Sequence, residues 1–227
     1  MTDIAERTMG PLAQAEEPAA WVASNPLGYE AAHSWGKRAI DILGASLALF
    51  IFLPLLCFVA LAVRLESKGP VIFKQRRTGH RGRIFTIYKF RTMTVTEDAG
   101  DVRQATRNDA RVTAIGGLLR KLSLDELPQF LNVLKGDMSI VGPRPHALAH
   151  DDFYGERIPA YVDRFRVKPG LTGLAQVNGL RGEIQDLRGM RDRISADNLY
   201  IESWSLGLDI AILAKTALII FRDPQAY

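Results

Sequence analysis

The sequence predicts an α+β protein, mostly helical with a small β-sheet. It is expected to sit on a membrane through an N-terminal re-entrant helical hairpin and interfacial amphipathic helices. Three observations carry this reading. Residues 42–63 form a run of 22 residues with no charge, and a bilayer core needs about 20. Two segments rich in β-branched and aromatic residues then flank a Gly-containing turn, and much of the rest is apolar at helical spacing. The charge is also badly mixed. Residues 1–36 hold Asp3, Glu6, Glu16, Glu17 and Glu30 against Arg7, a net of −4, whereas residues 64–91 hold nine Lys and Arg against Glu66, a net of +8. A block that basic seeks phosphates, whether of a lipid surface, a nucleotide or a nucleic acid. At 227 residues the chain suits one medium domain with appendages. Cys57 is its single cysteine, so no intramolecular disulfide forms and a reducing compartment is expected.

Taken in order, residues 1–34 are rich in Ala, Glu and Pro without periodicity and are expected to be a disordered tail. Residues 35–67 are expected to form the membrane segment, and 68–227 a folded domain on the cytoplasmic side. A single spanning helix is the plain reading of the apolar run. Two features favour a hairpin instead. Lys37 and Arg38 precede the run and Arg64, Lys68 and Lys74 follow it, so the positive-inside rule keeps both ends on one side. Pro54 near the middle removes a backbone donor and is expected to break the helix into halves of roughly 18 and 14 Å at 1.5 Å per residue.

PVIFKQRR and RIFTIYKF read as two short strands around TGHRG. Residues 94–112 read as a flexible loop and GGLLRKL as a short helix. SLDELPQ follows, at 123–129. Ser123 with Glu126 three residues on reads as a capping box, and Leu127, Phe130, Leu131 and Leu134 continue at helical spacing to Gly136. Asp125 and Glu126 at that helix start suit its dipole, and they are also paired carboxylates where chemistry could occur. In SIVGPRP two prolines lock the backbone around Arg144, as a turn or as a guanidinium held for a phosphate. VKPGLTGLAQVNG is expected to be a glycine loop that backbone could bring close to a ligand. Residues 191–202 read as helix. SLGLDIAILAKTALIIF, broken by Asp209 and Lys215, reads as an interfacial helix with Trp204 at headgroup level. His146 and His150 have the spacing of a metal pair but lack the glutamate of HExxH, so a structural role is expected.

KFRTM (89–93), LRKLSLDELPQFLNVLKGDMSIVGPRP (119–145) and VKPGLTGLAQVNG (167–179) together resemble the bacterial sugar transferases that act on polyprenyl phosphate, the monotopic phosphoglycosyl transferases. The resemblance runs from about Ser34 to Tyr227 and is to their compact form. HALAHDDFY, RGE at 181–183, DNLYIESWSLGLD and the terminal AY look most like members that transfer glucose 1-phosphate.

The resemblance implies transfer of a hexose 1-phosphate from a UDP-sugar, UDP-glucose foremost, to undecaprenyl phosphate, with release of UMP. Galactose or an N-acetylated sugar are the alternatives. It implies Asp125 as a nucleophile that forms a covalent phosphosugar, with Glu126 beside it and Mg2+ held by Asp125 and Glu126. Lys89, Arg91, Arg120 and Arg144 are the implied phosphate ligands. Pro169, Gly170, Thr172, Gly173, Gln176 and Asp197 are the implied nucleotide-sugar residues. The implied setting is the cytoplasmic face of the bacterial inner membrane, in exopolysaccharide, O-antigen or capsule synthesis. Membrane lipids are partners, a homo-oligomer is left open, and no nucleic acid is expected. The rival reading is a membrane-tethered basic binding or scaffold module without catalysis, supported by Phe73, Phe85, Tyr88 and Phe90 among the basic residues.

Overall fold

A computed structural model describes residues 31, 33–94, 109–182 and 186–222. The expected tail over 1–34 lies outside the described residues except for Ala31, His33 and Ser34, and so does most of the expected loop over 94–112.

The first element, α1 (Trp35–Glu66), is one helix of 32 residues that runs through Pro54. It starts at Ser34, whose hydroxyl accepts a hydrogen bond from the Lys37 N–H at 3.2 Å. The expected break at Pro54 is thus corrected, and there are not two helices here. A full break would orphan several N–H and C=O groups on each side, whereas a proline within the helix forfeits one bond. Lys37, Asp41 and Ala45 form one buried stripe and Val59 and Val63 another, while residues 50–54 are exposed all round. Phe50 is 77% exposed and Phe58 69%. An apolar helix bare on every side is not a water-facing one, and α1 is long and apolar enough to cross a membrane.

Both ends of α1 are gripped by the same domain. At the start, Lys37 Nζ donates to Asp209 Oδ2 at 2.7 Å, Val141 O at 2.9 Å and Tyr200 Oη at 3.0 Å. Arg38 donates to the carbonyls of Val133 and Leu134, and Asp41 accepts from Ser139 Oγ and Ile140 N. At the far end, Arg91 donates to the carbonyls of Val63, Ser67 and Pro70 and to Ser67 Oγ. These are helix-end acceptors that have no partner within the helix. Glu66 accepts from the Ile115 N–H at 2.7 Å.

The strands β1 (Ile72–Thr78) and β2 (Ile84–Phe90) pair antiparallel from Ile72↔Phe90 to Thr78↔Ile84, as the sequence predicts. Then come α2 (Ala114–Lys121), a 3₁₀ turn over Leu124–Gln129, α3 (Phe130–Lys135) and β3 (Ser139–Val141). After α4 (Leu148–Gly155) and a 3₁₀ segment over Pro159–Arg166, β4 (Gly170–Thr172) pairs parallel with β3. The expected loop over 167–179 therefore holds a strand and a one-turn helix, α5 (Leu174–Val177). Three strand residues among glycines leave too short a pattern to read. Two long helices close the chain, α6 (Leu187–Glu202) and α7 (Leu206–Arg222). The main core gathers Ile87, Val133, Met138, Ile140, Tyr200 and Ile212 between these layers. Asp209, read from the sequence as a break in an interfacial helix, is buried, and Trp204 donates to it at 3.2 Å.

Candidate active site

The expected capping box does not form. Ser123 adopts a left-handed conformation (φ 56°) and its hydroxyl caps nothing. Such backbone costs on the order of 1–3 kcal/mol and is concentrated at functional sites. Leu122 and Ser123 turn the chain, and Leu124–Gln129 winds as a 3₁₀ helix with Pro128 inside it, before α3 begins. The expected three-turn α-helix from Ser123 to Lys135 is therefore corrected. The tighter winding leaves Asp125 buried against β2 and frees Glu126 from the cap.

Glu126 accepts hydrogen bonds from Lys89 Nζ at 2.8 Å, from Arg144 NH1 at 3.1 Å, and a second, shorter one from Arg144 NH2. Burial alone would push its carboxyl up. The Arg144 guanidinium and the Lys89 ammonium outweigh that and hold it well below the usual carboxylate range. Asp125 is the opposite case. Burial, then repulsion from Glu126, pushes its carboxyl up to about 6, although Lys89, Arg120 and Arg144 pull the other way. Among the described residues it accepts no hydrogen bond. Two adjacent carboxylates with divergent titrations suggest different roles. Glu126 organises the cations, and Asp125 has its oxygens free to react.

The cations come from three elements. Lys89 lies on β2, and Arg144 lies between Pro143 and Pro145 after β3. Arg120, on α2, donates through Nε to Thr92 Oγ1 at 2.9 Å. A Cβ on Gly116 would lie 2.2 Å from the Thr92 carbonyl, so glycine permits the close packing of α2 that places Arg120. Arg91 does not join them, because its guanidinium is committed to the end of α1.

The residues expected to bind nucleotide-sugar lie behind Arg144 and along the seam between β3 and β4. Pro169 O accepts from Ser139 N, and Gly170 N donates to Pro143 O at 2.9 Å. A Cβ on Gly170 would lie 2.1 Å from Gly142 N, and one on Gly173 2.3 Å from Gly142 O. These glycines let two stretches of backbone meet closely. Thr172 Oγ1 lies 2.7 Å from Thr216 Oγ1 on α7, and Gln176 Nε2 donates to Leu171 O. Asp197 is deeply buried and pairs with Arg164 at 2.9 Å, whose NH2 also donates to the Arg144 carbonyl. Tyr161, Asp151 and His146 complete that network: Tyr161 Oη donates to Asp151 Oδ1 at 2.6 Å and lies 2.7 Å from His146 Nδ1. Burial, with Arg164 beside it, holds His146 well below its ordinary range, so the ring is neutral.

Of the two expected Mg2+ ligands, Asp125 has a carboxyl without a hydrogen-bond partner among the described residues, and Glu126 is engaged by Lys89 and Arg144. Among the described residues no group of three or more His, Cys, Asp or Glu could hold a metal. Mg2+ typically takes one or two carboxylates and completes its shell with phosphate oxygens and water, and Asp125 with Glu126 supplies that minimum.

A buried carboxylate thus stands among the charges of Lys89, Arg120 and Arg144. The family model for bacterial sugar transferases matches residues 32–223. The chain belongs to the bacterial sugar transferase family. Over 191 residues the transferase is 53% identical to a UDP-glucose:undecaprenyl-phosphate glucose-1-phosphate transferase of Caulobacter vibrioides, covering 84% of this chain and 72% of the relative. A protein of the same description from Escherichia coli K12 is 52% identical over 191 residues, 84% of this chain and 41% of the relative. A UDP-N-acetylgalactosamine-undecaprenyl-phosphate N-acetylgalactosaminephosphotransferase of Aeromonas hydrophila is 46% identical over 180 residues, 79% of this chain and 42% of the relative. The transferase thus spans less than half the length of two of these relatives. Sequence reasoning missed Lys37, Asp209, Arg164 and Tyr161. A lysine just before an apolar run and an aspartate inside another were the available signal for the first pair.

Proposed function

We propose that the protein transfers glucose 1-phosphate from UDP-glucose to undecaprenyl phosphate, releasing UMP, as the first membrane step of exopolysaccharide, O-antigen or capsule synthesis. The observation that carries this reading is the unequal dyad: Asp125 buried with no hydrogen bond to its carboxyl among the described residues, beside a Glu126 tied to Lys89 and Arg144. The names of the relatives support the donor and the acceptor, with an N-acetylated hexose or galactose as alternatives.

An Asp125 oxygen attacks the phosphorus that bears the sugar, and the bond to the bridging oxygen breaks as UMP leaves. A phosphate oxygen of undecaprenyl phosphate then attacks the same phosphorus, breaking the acyl-phosphate bond and restoring the carboxylate. Lys89, Arg120 and Arg144 offset the negative charge that gathers at phosphorus. Mg2+ held by Asp125 and Glu126 would screen the carboxylate from the diphosphate. Asp197 and Arg164 position Arg144 from behind.

The location we propose is the cytoplasmic face of the inner membrane. The exposed apolar middle of α1 lies in the lipid, and the domain that grips both its ends stays on the cytoplasmic side. The grip of one domain on both ends supports this. An apolar cavity of about 490 Å³ between α1 and α2, lined by Phe58, Leu61, Ala62, Leu65, Glu66 and Ile115, supports a lipid acceptor. Incubating the protein with UDP-glucose and Mg2+ alone should release up to one UMP per enzyme and leave a phosphohexose on Asp125, detectable by mass spectrometry of a quenched digest. Turnover by Asp125→Asn, with no adduct on the wild type, would reject the covalent reading.

A further inference from the structure

We infer that Arg181 is a substrate-binding residue, contacting a phosphate group of the substrate from the Ser123 side of Asp125. This rests on the transfer reaction proposed above. Arg181 stands 58 residues further along the chain from Ser123, yet its NH2 donates to Ser123 Oγ at 2.5 Å. It is carried on a fixed turn. Gly179 N donates to Gln176 O and Leu180 N to Ala175 O, and Arg193 donates to Gly182 O at 2.8 Å. Gly179 supplies the positive φ of 83° that this turn needs.

Lys89, Arg120, Arg144 and Arg181 differ in how their charge is met. Lys89 and Arg144 share the single negative charge of Glu126. Arg120 and Arg181 each rest on a neutral hydroxyl, of Thr92 and Ser123, with no carboxylate partner among the described residues. A guanidinium has five N–H donors, so after that single tether each keeps donors for an anion. Arg120 acts on Asp125 and Arg181 reaches Ser123, two residues before it, and two such cations suit a group carrying more than one negative charge. The left-handed Ser123 gains a purpose here, because the strained turn aims its hydroxyl at Arg181 instead of capping the next helix. The tether limits the freedom of a long side chain that would otherwise be lost on binding.

The test compares Arg181→Ala, Arg181→Lys and Ser123→Ala for steady-state UMP release, with UMP affinity measured by calorimetry. A latch between turn and dyad would make Arg181→Ala and Ser123→Ala equivalent, since both cut the same bond. A phosphate contact makes them unequal. Arg181→Ala should raise one substrate KM tenfold or more, Ser123→Ala less than threefold, and Arg181→Lys should fall between them. If the phosphate is the nucleotide's, the UDP-glucose KM and the UMP dissociation constant rise together. If it is the lipid's, the undecaprenyl-phosphate KM rises and UMP affinity is unchanged. Equal effects of Arg181→Ala and Ser123→Ala, or unchanged KM values and UMP affinity in Arg181→Ala, would overturn the inference. Absence of UMP release by the wild type would count against the proposed reaction, and the calorimetry would still report on Arg181.

Discussion

Asp125 carries the sharpest residue-scale consequence, because the environment that suits it for attack also opposes its charge. Its carboxyl titrates at about 6 in the fold against 3.8 in the open chain. A raised acid contributes most to stability below its unfolded value and loses that contribution as pH climbs through the folded one. Holding it ionised at neutral pH thus costs on the order of 2–3 kcal/mol, at 1.36 kcal/mol per pH unit. Asp125→Asn should abolish turnover yet raise thermal stability at pH 7.5, and the gain should fade between pH 6 and pH 4. Melting curves of both proteins in detergent across that range provide the check. A destabilised Asp125→Asn at neutral pH would mean that the carboxylate is a structural anchor. The wild-type rate should fall as pH drops below about 6, since the nucleophile becomes protonated while Glu126 stays ionised.

Among the elements, α1 and α7 are joined by the buried pair Lys37–Asp209, each side chain less than a tenth exposed. Asp209 also accepts from Tyr200 at 2.8 Å and from Trp204, so both charges are well supplied with partners. Removing one member of such a pair strands the other and typically costs about 3–5 kcal/mol, whereas replacing both with apolar groups costs far less. Lys37→Met should therefore lower the melting temperature strongly, and Lys37→Met with Asp209→Leu should recover part of the loss. Equal melting temperatures for the single and double variants would show that the pair is not coupled. The same logic explains why Arg91 has no place at the dyad. Its guanidinium meets the orphan carbonyls at the end of α1, and a second role would leave those acceptors bare.

For the whole molecule the question is which side of the bilayer each end of α1 occupies. A helix crossing the membrane would carry one end away from the domain, yet Lys37 bonds Val141 and Arg91 bonds Val63 within one fold. In a Cys57→Ser background, single cysteines at Ser34 and at Lys68 should both resist an impermeant maleimide in intact spheroplasts, and both should react once the membrane is opened. Labelling of either one from outside would establish a spanning helix. The β-hairpin, α2 and the dyad depend on this geometry, since they hang from the far end of α1 through Glu66 and Arg91.

The sequence by itself determined the apolar run, the hairpin of β1 and β2, the short helix before Ser123, the Asp125–Glu126 pair and the proline-locked Arg144. Each is written in contiguous residues, where periodicity, turn chemistry or a motif suffices. The tertiary structure decided what depends on residues far apart in the chain. It kept α1 whole through Pro54 and turned Ser123 left-handed. It moved Arg91 to a helix end, and it packed the glycines of 167–179 against Gly142 beside Arg144. It also separated the titrations of Asp125 and Glu126, because burial and the charges of Lys89, Arg120 and Arg144 come from other elements. A side chain's partners are fixed by distance in space, and a linear pattern reports only distance along the chain.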